Sequence, residues 1–184
     1  TPRPEVRRSA ALSLLARPGD GGIRTRKVAV LVADGVDGRA VANVQSALRA
    51  AGAVPRLVGV RIGPFTTAAG DEMHADASME NEPAVLFDAL VLPDGAAGVK
   101  ALEKLGQTLE FIKDTYRHCK PILAIGESRV LLQAAGTPVA IPGGEPDPGI
   151  VLGSSKSISR EVQCFIKAVA RHRHPERDTD PPRV

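Results

Sequence analysis

The stretch Pro121-Ile122-Leu123-Ala124-Ile125-Gly126-Glu127-Ser128-Arg129-Val130-Leu131-Leu132 carries the sharpest chemical signal in the chain. Its apolar start reads as a short buried strand and its end as a helix, with a tight turn between them. That is the layout in which an α/β enzyme presents a nucleophile on a strained elbow. At the apex, however, stands Gly126, which has no side chain to attack anything. Ser128 falls in the first turn of the helix, where the ordinary task of a hydroxyl is to satisfy the helix end. Glu127 has no basic partner in the local sequence and is placed to complement the helix dipole. The stretch reads as the scaffold of an active site without its reactive atom.

Two other loops belong with it. Asp34-Gly35-Val36-Asp37-Gly38 follows the first apolar run and Pro93-Asp94-Gly95 the third. In a parallel sheet such loops meet at the carboxyl ends of the strands, where ligands bind. Asp37, Asp94, Gly95, Gly126 and Glu127 are therefore the candidate crevice. Amides at Gly95 and at the elbow could form an oxyanion-type nest, but acyl transfer also needs a nucleophile with a base in reach. The carboxylates of Asp37, Asp94 and Glu127 favour a cationic or hydrogen-bonding guest over a phosphate, by like-charge repulsion.

Other chemistries find little support. No two of His74, His118, His172 and His174 have the helical i, i+4 spacing of a zinc motif, so no metal is expected. The run Pro93-Asp94-Gly95-Ala96-Ala97-Gly98 lacks both G-x-G-x-x-G and a Gly-Lys-Ser/Thr ending, the patterns that cradle nucleotide phosphates. Cys119 and Cys164 lack metal spacing and read as small core residues, the second beside Phe165 on a helix. A reducing, cytoplasmic compartment is the expectation for two such thiols.

The elements that must position the crevice follow from periodicity. Val28–Val32 is an apolar strand, and Val41, Val44 and Leu48 give a helix stopped at Gly52. A second strand is expected near Pro55–Val60, then a small antiparallel excursion with a turn at Gly70-Asp71, carrying Met73 and His74. Ala89–Leu92 is the third strand. Leu102, Leu105, Leu109 and Ile112 continue helically with a break near Gly106. After the elbow helix, residues 142–149 form a turn-rich loop and Ile150–Leu152 a last strand. Ser157 or Ser159 caps a final helix whose Val162, Phe165, Ile166 and Val169 share one face. This alternation predicts a three-layer α/β sandwich with a mostly parallel sheet.

Composition agrees with one domain and irregular ends. Of 184 residues 43% are hydrophobic but only 3% aromatic, so the core must be built from Val, Leu, Ile and Ala, as suits a buried parallel sheet. Residues 1–26 read as a linker, 27–172 as the domain and 173–184 as a polar tail, disordered after His174-Pro175. The start at Thr1 suggests a piece cut from a larger chain. No apolar run reaches the roughly 18 residues of a membrane span, and residues 1–5 lack the apolar centre of a secretory signal. The net charge of +3 comes largely from the ends, and no aromatic residues interleave with the arginines to stack on bases. Nucleic acid is not an expected partner.

From about Arg26 to Val169 the chain resembles the DJ-1/PfpI superfamily, a flavodoxin-like branch of the class I glutamine amidotransferase-like domains. The family's elbow reads Ala-Ile-Cys; here Ala124-Ile125 is followed by Gly126, and Glu127 stands where histidine is frequent. Asp37 is the nearest equivalent of the acid that tunes the family's cysteine, and so a vestigial one. A closer resemblance, over essentially the whole chain, is to the C-terminal domain of large-subunit haem catalases. Ala11–Leu14, Thr25–Val36, Leu92–Gly95 and Ala168–His174 carry it.

That resemblance implies a homotetrameric parent that decomposes hydrogen peroxide, with haem and catalytic histidine upstream and no cofactor in this segment. It implies a non-catalytic accessory domain that stabilises its parent and acts as a chaperone for unfolded client proteins. Apolar residues such as Leu12, Leu14 and Leu15 would supply the client surface. The alternatives are a residual hydrolase or deglycase of the DJ-1/PfpI type, which would need Ser128 or a relocated cysteine as nucleophile, and a domain that binds a small ligand without chemistry.

Overall fold

Apolar residues at consecutive positions of the central strands point to both faces of the sheet, and helices on both faces cover them. A computed structural model of the chain describes residues 9, 11–13, 21–154 and 158–177. Its elements are β1 (Lys27–Leu31), α1 (Gly38–Ala50), β2 (Val54–Gly59), the hairpin β3 (Gly63–Thr66) and β4 (Glu72–Ala75), and β5 (Ala77–Ser78). There follow β6 (Ala89–Leu92), α2 (Ala96–Glu103), α3 (Gly106–Arg117), β7 (Ile122–Ile125), α4 (Arg129–Ala134), β8 (Ile150–Gly153) and α5 (Ile158–Ala170). The six-stranded sheet runs β5-β2-β1-β6-β7-β8 with every pair parallel. Without the short β5, that is the doubly wound flavodoxin-like order.

The central strands β1, β6 and β7 feed two cores. Val28, Val30, Val91, Leu123 and Ile125 pack against Val41, Val44 and Leu48 of α1 and Val162, Phe165 and Val169 of α5. Ala29, Leu31, Leu90, Leu92 and Ile122 face Leu102 of α2, Phe111, Ile112 and Tyr116 of α3, and Leu131 of α4. The three-layer sandwich and the antiparallel excursion stand as the sequence predicts. The helical break falls at Lys104-Leu105, and Gly106 opens the second helix.

Four details differ from the sequence reading or lie beyond it. Cys164 is exposed, because the buried stripe of α5 runs through Val162, Phe165 and Val169 and leaves position 164 on the flank; only Cys119 is a core thiol. Ile23, within the stretch read as linker, is 1% exposed and belongs to the core under α1 and α5. Residues 173–177, read as the start of a polar tail, fold back: His174 and Arg177 are buried and 175–177 form a 3-10 turn. Ser159 lies inside α5 rather than before it, and Ser157 lies outside the described residues.

The amino ends of β7 and β8 are fastened by charge. Arg177 is 1% exposed and pairs with the carboxylate of Asp147 through Nε and Nη2, while Nη1 donates to the Lys120 carbonyl at 2.7 Å. Lys120, 3% exposed, donates from Nζ to the carbonyls of Ala84 (2.8 Å) and Val85 (3.3 Å). Burial first, and then the charge of Arg173, pull its ammonium down to about 8, against opposing help from Asp88 and Asp114. Between about pH 8 and lysine's ordinary 10.5, the unfolded chain keeps a proton that the folded chain has released. Folding stability therefore rises with pH across that window and falls as pH drops through 8. Lys120→Met is expected to flatten this rise in urea midpoints measured from pH 7.5 to 10.5, and a rise kept in full would contradict the assignment.

Candidate functional site

The loops after β1, β6 and β7 do meet, and they meet through backbone. The amide of Asp37 donates to the Asp94 carbonyl at 2.7 Å. Gly95, with φ +120°, lies so close to the first loop that a Cβ on it would sit 2.6 Å from the Asp37 nitrogen and the Gly35 oxygen. Glycine there is a packing requirement. Asp37 itself caps α1, accepting from the amides of Arg39 (2.9 Å) and Ala40 (3.2 Å). The acid read as vestigial thus has a structural task at the helix N-terminus.

Gly126 lies at the apex with φ +60°, and a Cβ built on it would fall inside the carboxylate of Asp94. That carboxylate is fixed. Its Oδ1 accepts from the amide of Gly95 at 2.8 Å and from the amide of Glu127 at 3.0 Å. These two amides are the ones the sequence nominates as an oxyanion-type nest. The negative charge they would stabilise on a reaction intermediate is supplied instead by the chain's own Asp94 side chain. Asp94 and Gly126 are complementary: the carboxylate occupies the volume that a nucleophile's β-carbon would need.

Ser128 is fully buried and engaged. Its hydroxyl lies 2.8 Å from the Leu92 carbonyl and 2.9 Å from the Ile125 carbonyl, either of which it can donate to, and it accepts from the Ile125 amide at 2.8 Å. It ties the end of β7 to the end of β6. Glu127 is exposed at the rim. Ser128→Ala is expected to lower stability by about 1–3 kcal/mol, the cost of leaving buried backbone groups unsatisfied. Chemical denaturation checks it, and a change below a few tenths would contradict the role of a staple.

A cavity lies to one side of this closed elbow, about 580 Å³ at the ends of β1 and β2. Val32, Asp34, Arg61, Ile62, Phe65 and Leu105 are among the residues that line it, and none of the nominated residues Asp37, Asp94, Gly95, Gly126 or Glu127 does. The sequence reading missed it. The available signal was the apolar pair Val60 and Ile62 on either side of Arg61, both of which the structure leaves exposed. Among the described residues no group of three or more His, Cys, Asp or Glu could hold a metal ion, and no helix is long and apolar enough to cross a membrane.

Comparison with known proteins places this geometry. A family model of the C-terminal domain found in long catalases matches residues 24–179. The chain is 35% identical over 174 residues to catalase HPII of Pseudomonas putida, covering 95% of this chain and 23% of that protein. With catalase HPII of Mycobacterium avium it shares 32% identity over 189 residues, covering 97% of this chain and 27% of the relative. It thus spans about a quarter of the length of these relatives. Among solved structures, Drosophila melanogaster DJ-1beta superposes with a TM-score of 0.69 at 15% identity, covering 85% of this chain and 95% of that one. Schizosaccharomyces pombe DJ-1 gives 0.64 at 19% identity, over 77% and 87%. The second pair of likenesses shows the fold.

Proposed function

This chain belongs to the family of C-terminal domains found in long catalases, and on that premise we propose that it is an accessory domain without chemistry of its own. In this reading the parent decomposes hydrogen peroxide with a haem and a catalytic histidine held outside the present residues, as a homo-oligomer. The domain holds no cofactor and contributes stability to the assembly. One observation carries the reading: the Asp94 carboxylate lies over Gly126 and accepts from the amides of Gly95 and Glu127, so the elbow has neither a nucleophile nor an open oxyanion site. A residual hydrolase built on Ser128 is disfavoured by its burial and its three backbone partners.

The test compares a long catalase with and without this domain, following loss of peroxide decomposition at elevated temperature. The reading expects equal initial rates and faster inactivation of the shortened enzyme. Equal half-lives would remove the stabilising role. The purified, haem-free chain should release no oxygen from peroxide, and a peroxide-dependent release would overturn the absence of chemistry.

A chaperone role towards unfolded clients rests on exposed apolar side chains. Leu12 is 88% exposed, and Ile62, Val85 and Leu86 are at least half exposed; Leu14 and Leu15 lie outside the described residues. Light scattering by a heated client enzyme tests it. Suppression near equimolar ratio supports the role, and unchanged scattering counts against it.

A further inference from the structure

At the amino ends of β1, β6 and β7 the sheet gathers a group of cations, and the elbow uses none of them. Arg26 stands before β1, Lys120 before β7, and His172-Arg173 follow α5. Asp88, before β6, is the carboxylate that Arg26 contacts. Three non-glycine residues among those described have a left-handed backbone: Thr25 (φ +65°), Cys119 (φ +56°) and His172 (φ +69°). The residue after each is one of the three cations, Arg26, Lys120 or Arg173. Arg26 and Arg173 are half-buried and Lys120 is buried. Such backbone is sparsely populated outside glycine, and its coincidence in space is a reason to ask what the site does.

Among the described residues the group has more donors than acceptors. Arg26 Nη1 lies 3.3 Å from Asp88 Oδ1 and 3.5 Å from His172 Nε2. Arg173 Nη1 lies 2.9 Å from His172 Nδ1 and 2.9 Å from the His172 carbonyl. A neutral imidazole offers one acceptor nitrogen, yet a guanidinium approaches each of the two. Protonation would not help, because it would add a third cation between two guanidinium groups. Burial, followed by the charges of Arg173 and Arg26, holds the imidazole below its usual range, with only Asp88 opposing. Asp88 is already shared, since its Oδ2 accepts from the Lys27 amide at 2.9 Å. Lys120 turns its ammonium to two carbonyls, Ala84 and Val85, rather than to a carboxylate.

We propose that Arg26, His172 and Arg173 form a binding site for a small oxyanion of the phosphate or carboxylate class. Two guanidinium groups on either side of one imidazole supply the planar, multiply donating surface that such anions take. Arg26 keeps 31% of its side chain exposed, so the site is reachable from solvent. The anion would meet the charge that Asp88 only partly balances, and Asp88 is its competitor. This site lies at the end of the sheet opposite the elbow and does not depend on the catalytic status of Gly126.

Inorganic phosphate and acetate are the probes, titrated into the 184-residue chain by calorimetry, with thermal unfolding in phosphate against chloride at matched ionic strength. The proposal expects saturable heat and a phosphate- or acetate-dependent rise in Tm that chloride does not give. Arg26→Gln and Arg173→Gln are each expected to weaken binding by about tenfold, as loss of one charge-assisted hydrogen bond does. Asp88→Asn should strengthen it about threefold or more, by removing the competing charge. The preferred probe tells whether the natural guest is a phosphate or a carboxylate. Equal behaviour of all three anions, or unchanged affinity in both arginine variants, would overturn the site.

Discussion

Asp147→Ala is expected to cost the folded chain about 3–5 kcal/mol, because it strands a buried guanidinium without its counter-charge. Arg177 and Asp147 are both almost wholly buried, and the pair is surrounded by further partners. Asp147 Oδ1 accepts from the Gly149 amide at 2.7 Å, and the Arg177 guanidinium stacks 4.7 Å from the centroid of the Tyr116 ring. Arg177→Met should be costly for the reciprocal reason. The double replacement Asp147→Leu with Arg177→Met should cost clearly less than the sum of the single changes, since an apolar pair leaves no orphan charge. Urea midpoints of the four proteins measure this. Additive losses would mean that the pair is not the fastening of the β7–β8 end.

The second large effect is expected at the elbow. Gly126→Ala should destabilise by about 2–4 kcal/mol, combining the cost of a β-carbon at φ +60° with its overlap with Asp94. Gly126→Cys, which restores the residue type that the DJ-1/PfpI resemblance implies at the apex, should lose at least as much. It should gain no hydrolase activity while the amides of Gly95 and Glu127 remain engaged by Asp94. A stable Gly126→Cys protein that hydrolyses esters would show the elbow to be open.

How far the sequence could be read depended on the range of the interaction concerned. Strands and helices announce themselves locally: Val28–Leu31, Leu90–Leu92 and the Leu102–Ile112 series carry their period on their face, and Gly70 and Gly106 mark the turn and the break. The meeting of Asp37, Asp94, Gly95 and Gly126 follows from parallel topology, so those positions were legible as neighbours. The direction in which the Asp94 carboxylate turns was not, because it depends on the backbone dihedral of Gly126 and the close approach of three loops. The Asp147–Arg177 pair was hidden for a different reason. Asp147 sits in Pro-Gly-Gly-Glu-Pro-Asp-Pro-Gly and Arg177 in a polar stretch, both of which read as solvated. Partners 30 residues apart leave no periodic trace. Ile23, a lone apolar residue among glycines and arginines, was lost in the same way.

The central claim, that Asp94 closes the elbow and Gly126 exists to admit it, is tested most directly by a double-mutant cycle. Unfolding free energies of the parent chain, Gly126→Ala, Asp94→Ala and the double variant are measured in urea. The account predicts that the double variant is more stable than the sum of the two losses allows, by about 1–3 kcal/mol, because removing the carboxylate makes room for the β-carbon. Strict additivity would contradict it, and would mean that the carboxylate does not fill the space a nucleophile needs.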